Sequence, residues 1–126
     1  MVSKIIHLPK IQDPRGNLTF LQFPSQIPFE IQKISWVYDV PQGGKLDEYS
    51  NLNKEYLVIA LNGNFDVVVR EANGNRQRYF LKNCFEALYL PLMTLSSIEN
   101  FSANAVVLIL CSKSDFIDPP KIEIDE

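Results

Sequence analysis

Few residues in this chain are equipped for chemistry. Acid–base work near neutral pH falls most readily to histidine, whose unperturbed pKa is about 6.5. The sequence holds one histidine, His7. It precedes the first predicted strand with no orienting partner in view, so it reads as a surface residue. Proton carriage is left to Tyr49, Glu55, Asp47 and Glu48. An unperturbed phenol has a pKa of about 10, far from the working pH. An acidic side chain buried in an apolar site acquires a raised pKa better suited to the task. Asp47 and Glu48 read more simply as a solvated loop turn.

Arg15 carries a planar fork of donors that suits a diphosphate. It also stands beside Gly16 and two residues from Asp13, where a carboxylate could hold it in a turn. Both readings stand on the sequence. Cys84 and Cys111 lie among apolar residues, and neither has a second ligand at metal spacing. They read as reduced, buried thiols of a cytoplasmic protein; a disulfide or a metal pair is the other arrangement that two cysteines allow. No metal and no cofactor is expected.

These residues need a frame, and the sequence predicts an all-β one. The 126 residues are 46% hydrophobic, the size and composition of one globular domain. Short strands alternate with turn signals. Leu18 to Phe23 follows Pro14-Arg15-Gly16-Asn17 and stops at Pro24. From Ile34 to Val40 apolar and polar residues alternate with a period of two, ending at Pro41-Gln42-Gly43-Gly44. Tyr56 to Leu61 is a continuous apolar run closed by Asn62-Gly63, which reads as a two-residue hairpin into Phe65 to Arg70. Asn73-Gly74 reads as a second hairpin, into Arg78 to Leu81. Ala87 to Leu90, Ser97 to Phe101 and Val106 to Cys111 complete the set. Strands at this spacing predict a sandwich or barrel. Residues 1–126 are read as one domain, with an acidic tail from about residue 118.

Other function classes are disfavoured. A formal net charge of −3 argues against general binding of nucleic acid, which needs a basic face. No apolar run approaches the roughly 18 residues of a membrane span, and no leader is recognised.

The barrel reading sharpens into a cupin-type double-stranded β-helix, or jelly-roll barrel. Gly43, Glu55 and Gly63 stand near the glycine, glutamate and glycine of the metal-binding cupin motif. Where that motif has histidines stand Tyr49 and Asn51, and a third position, counted from Pro91, falls at Ser96. Glu55 alone does not hold zinc or another transition metal tightly.

A closer resemblance runs through Leu8-Pro9-Lys10-Ile11-Gln12-Asp13-Pro14-Arg15-Gly16-Asn17-Leu18-Thr19. It continues in Ile27-Pro28-Phe29-Glu30-Ile31, Val37-Tyr38-Asp39-Val40-Pro41, Leu61-Asn62-Gly63, Leu88-Tyr89-Leu90-Pro91, Asn100-Phe101-Ser102 and Val106 to Leu110. These segments resemble the dTDP-4-keto-6-deoxyglucose 3,4-ketoisomerases, the WxcM-like or QdtA-type cupins. The resemblance implies a metal-free homodimer in which an N-terminal strand pairs with the partner barrel. It implies a dTDP-sugar ligand, with Arg15, Trp36, Tyr38 and Tyr89 as candidate substrate contacts. It also implies a proton shuttle through an enediol, carried by a His-Ala-His motif.

That motif is replaced here. Its histidines become Tyr49 and Asn51, its arginine becomes Leu46, and the paired aromatics of the preceding strand become Ser35 and Trp36. The expected function is therefore a catalytically degenerate homologue. It would bind a dTDP-sugar or serve as partner subunit to an enzyme of surface-polysaccharide sugar biosynthesis. Two alternatives stand: an isomerase acting on a related keto sugar through Tyr49 and Glu55, and a structural dimer with a filled barrel.

Overall fold

A computed structural model describes residues 2–51 and 53–112, without the side chains of 47–51. Among the described residues there are eleven strands and no helix: β1 (Lys4–His7), β2 (Lys10–Asp13), β3 (Gly16–Thr19), β4 (Ile31–Val37), β5 (Lys45–Asn51), β6 (Tyr56–Asn62), β7 (Phe65–Arg70), β8 (Arg76–Leu81), β9 (Glu86–Leu90), β10 (Thr94–Glu99) and β11 (Val106–Ser112). Every pairing is antiparallel. One sheet runs β1-β9-β6-β11-β4, a second runs β5-β10-β7-β8, and β2 and β3 form a two-stranded sheet of their own among the described residues. This is the expected all-β architecture.

The apolar alternation explains how the sheets stack. On β7, Phe65, Val67 and Val69 are wholly buried, and they meet Val58, Ala60, Leu88, Leu90 and Val107 of the other sheet. Burying each such side chain is worth about 1.5–3 kcal/mol. The outer face of the five-stranded sheet is covered as well. There Leu57, Ile59, Ala87, Tyr89 and Leu110 pack against Leu8, Ile27 and Phe29 from the segments around β2 and β3. β6 is thus apolar on both faces, which accounts for its unbroken hydrophobic run.

Two turns differ from expectation. Asn62-Gly63 is not a hairpin: β6 and β7 belong to different sheets, so the turn carries the chain from one layer to the other. Gly63 is required there on two grounds. Its φ is +69°, and a Cβ would lie 2.5 Å from Ser102 Oγ and 2.9 Å from Ala105 Cα. Ser102 ties this crossing down, since its Oγ accepts from Asn64 N and its N donates to Asn64 O. Asn73-Gly74 is a true hairpin turn joining the paired strands β7 and β8. The stretch around Asp47 and Glu48, read as a turn, is backbone of β5. β1 and β2 carried no strong strand signal. β1 pairs with β9 of its own chain. The acidic tail lies outside the described residues.

Candidate functional site

Cross-strand register assigns the inner wall. Val37 of β4 stands opposite Val107, a core residue, so Ser35 and Lys33 share its face. Ser35 is opposite Ile109 and Lys33 opposite Cys111. Cys111 is in turn opposite Tyr56, which packs on the inner core, and Tyr56 is opposite Leu90. One end of the interior is therefore lined by Leu90, Tyr56, Cys111 and Lys33. On the facing sheet Ser96 stands opposite Val69, and Ile98 opposite Val67. Tyr56, Ile109, Ser35 and Leu46 are only half-buried, so the interior opens toward β4 and β5.

Ser96 is the unusual member of this wall. It is 1% exposed, and its Oγ has no hydrogen-bond partner among the described residues. A buried hydroxyl without a partner carries a desolvation penalty that most proteins avoid. Its neighbour Thr94 is also buried but donates to Pro91 O at 3.0 Å. On the other flank of β10, backbone register puts Tyr49 opposite Ser96 and Asn51 opposite Thr94. Residues directly opposite in a ladder fall on one face. Backbone register thus sets Tyr49 and Asn51, the positions read from the sequence as those of the family histidines, directly across from the two buried hydroxyl residues of β10.

The other sequence candidates are placed elsewhere. Trp36 alternates with the inward Ser35 and Val37 and is 58% exposed on the outer face of β4. Tyr38, just past the strand, is 61% exposed. Asp39 has a φ of +61°, and this left-handed residue resets the alternation, so that Val40 packs inward again. Tyr89 belongs to the outer core cluster, with its ring 6.4 Å from that of Phe29. Its hydroxyl donates to Glu55 Oε2 in a short hydrogen bond. Burial, helped by the Glu55 carboxylate, pushes the Tyr89 phenol well above its ordinary pKa. Glu55 is also bound through its backbone: its N donates to Ser112 Oγ at 2.8 Å, and its O accepts from Ser112 N at 2.9 Å. Glu55 and Tyr89 thus form a unit that joins β6, β9 and β11 on the side away from Ser96.

Arg15 lies at the tip of the β2–β3 hairpin. Its Nε and Nη2 donate to the two carboxylate oxygens of Asp13 at 2.9 and 3.1 Å, which holds that carboxyl below its usual pKa. His7, at the end of β1, is exposed, with Nδ1 3.6 Å from Glu86 Oε2. Among the described residues no three His, Cys, Asp or Glu side chains converge as a metal site. Of these wall residues, Lys33 was not singled out from the sequence. The alternation in β4 was visible, but the choice of inward face was not.

Residues 1–118 match the family described as WxcM-like, C-terminal. The chain belongs to this family. It is 26% identical, over 118 residues, to the TDP-4-oxo-6-deoxy-alpha-D-glucose-3,4-oxoisomerase of Aneurinibacillus thermoaerophilus, covering 94% of this chain and 83% of the relative. The TDP-quinovose 3,4-ketoisomerase WlaRB of Campylobacter jejuni superposes with a TM-score of 0.83 at 28% identity, covering 92% of this chain and 87% of that one. The same fold, with a TM-score of 0.81 at 21% identity and covering 92% and 82% of the two chains, occurs in the 3,4-ketoisomerase QdtA of Thermoanaerobacterium thermosaccharolyticum. That structure is a histidine-to-asparagine variant in complex with TDP-4-keto-6-deoxyglucose. The chain is thus a member of a sugar-nucleotide isomerase family, on a cupin-like scaffold. No helix among the described residues is long and apolar enough to cross a membrane.

Proposed function

We propose that this protein binds a TDP-linked keto sugar in the barrel interior without catalysing the histidine-dependent 3,4-ketoisomerisation of its family. Its role would be that of a binding or partner subunit in the making of a sugar for a surface polysaccharide. The observation that carries this reading is Ser96, a buried hydroxyl without a partner among the described residues, on the strand paired with Tyr49 and Asn51. A sugar is rich in hydroxyl and carbonyl groups that would satisfy it. Tyr56 and Ser35 add polar groups to the same face. Loss of acid–base catalysis follows from residue type. An asparagine amide carries no titrating proton, and general acid–base groups contribute about 100- to 10,000-fold to such reactions. The engagement of Glu55 by Tyr89 on the outer side weighs against a Tyr49–Glu55 proton relay.

Homodimerisation belongs to the same proposal. The β2–β3 arm carries Ile11 opposite Leu18, both more than half exposed. Between the arm and the outer sheet face lies a groove of about 380 Å³, lined by Leu8, Leu18, Leu21, Ile59, Leu61 and Leu108. Ile34 and Trp36 extend this apolar surface along β4. Exposed apolar surface of this kind marks an interface, and a second copy offering the same arm would cover it.

The test is a calorimetric titration with TDP and with a TDP-4-keto hexose, followed by solvent-exchange measurements in heavy water. Saturable micromolar binding without deuterium entering the sugar is expected. No binding up to millimolar nucleotide would overturn the ligand reading, and deuterium entry at the catalytic rates of the family would overturn the claim of silence.

A further inference from the structure

The outer face of the four-stranded sheet carries two like-charge pairs. Because Phe65, Val67 and Val69 of β7 point into the core, Asp66, Val68 and Arg70 lie on the opposite, solvent side. Register sets Asp66 opposite Glu99 of β10, and Arg70 opposite Arg76 of β8. Like charges directly opposite in a ladder repel, and a fold that keeps such a pair commonly bridges it with a counter-charge.

The acidic pair is bridged. Arg78 sits between them, with Nη1 donating to Asp66 Oδ2 at 2.9 Å and Nη2 donating to Glu99 Oε1 at 3.1 Å. Asn100 Nδ2 adds a third donor to Asp66 at 2.8 Å. The basic pair is not bridged. Among the described residues, no carboxylate forms an ion pair with Arg70 or Arg76. Glu71, next to Arg70 in sequence, is turned away. It is buried, and its Oε2 accepts from Ser3 Oγ and Gln77 Nε2, both at 3.0 Å. Arg70 and Arg76 are thus exposed residues directly opposite each other in the ladder, with no carboxylate partner among the described residues. They flank the β7–β8 hairpin turn, next to Leu95 in the same cross-strand row.

We propose that Arg70 and Arg76 form a binding site for a phosphate group, bridged by its oxygens as Arg78 bridges Asp66 and Glu99. The chemical class follows from geometry. A tetrahedral dianion presents enough oxygens for two planar forks at once, and its charge cancels both arginines. The site lies on the solvent side of the sheet whose inner side carries Ser96 and Val69, so it is distinct from the barrel interior and independent of the reading proposed for it. A free phosphate and the phosphate of a nucleotide share this oxyanion chemistry.

The experiment follows the arginine side-chain Nε–Hε resonances of the intact protein by NMR. Inorganic phosphate and TDP are added separately, at ionic strength held constant with chloride. Arg70 and Arg76 are expected to shift together and saturably with one midpoint, while Arg78 stays in place. In Arg76→Gln, the remaining Arg70 response should weaken by about tenfold or more, because one of two charge-assisted forks is gone. Saturation by inorganic phosphate identifies a free phosphate as a sufficient ligand. Saturation by TDP alone identifies the nucleotide. Shifts that stay linear with both, or an equal movement of Arg78, would overturn the proposal. TDP-sugar binding that survives in Arg70→Gln/Arg76→Gln would separate this site from the barrel.

Discussion

Replacing Tyr89 by Phe tests whether the Tyr89–Glu55 unit is a structural tie. The substitution keeps the ring, which is 1% exposed and packed near Phe29, and removes only the hydroxyl that donates to Glu55. Hydrogen bonds to charged groups are worth about 1.5–3 kcal/mol. Glu55 is half-buried and regains some water, so the lower half of that range applies. For a chain of this length such a loss lowers Tm by about 5–10 °C. Urea denaturation should show a lower midpoint with an unchanged slope, since the exposed surface does not change. The pH dependence adds a second signature. The folded pKa of Tyr89 is raised above the ordinary 10.0, first by burial and then by Glu55. A raised pKa means that its stabilisation is fully present below the unfolded pKa and is lost as pH climbs toward the folded one. Wild-type stability should therefore fall above about pH 10 by up to about 1.4 kcal/mol per pH unit more than that of Tyr89→Phe. The two proteins converge as pH rises. A variant within about 0.5 kcal/mol of wild type at neutral pH, or parallel curves through the alkaline range, would refute this assignment.

Three further outcomes follow. Ser96→Ala should raise stability by up to about 1 kcal/mol, because an unpartnered buried hydroxyl is removed, and should weaken TDP-sugar binding about 3- to 10-fold; a destabilised variant would mean that the hydroxyl is already satisfied. Gly63→Ala should cost about 2–5 kcal/mol in chemical denaturation, since it adds left-handed strain to a clash with Ser102 and Ala105; near-neutrality would mean that the β6–β7 crossing relaxes freely. Leu18→Asp should convert a dimer to a monomer in sedimentation equilibrium, and a persistent dimer would move the interface away from the β2–β3 arm.

Much of the architecture was legible from residue order. The unbroken run from Tyr56 to Leu61 and the alternation of Phe65, Val67 and Val69 correspond to β6 and β7, because burial on two faces or on one writes itself directly into the pattern. That Tyr49 and Asn51 carry no imidazole was a matter of residue identity alone, and the proposed loss of histidine chemistry rests on that reading. Polar β5, from Lys45 to Asn51, was not legible, because its pairing with β10 decides its conformation and its own residues do not.

The site itself was decided by the tertiary structure. A period of two announces that β4 has two faces but not which one turns inward. Val37 opposite Val107 settles it, sending Ser35 inside and Trp36 out, and the left-handed Asp39 then resets the count for Val40. Asn62-Gly63 has the composition of a hairpin, yet the partners available to β6 and β7 lie in different sheets. Tyr89 meets Glu55 across 34 positions of sequence, and Arg70 stands opposite Arg76 without a counter-charge among the described residues, only because the ladders set them so. Local sequence writes the alternation and the chemistry of each side chain; which face is buried, and which groups meet, is settled by long-range pairing energies that no single segment contains.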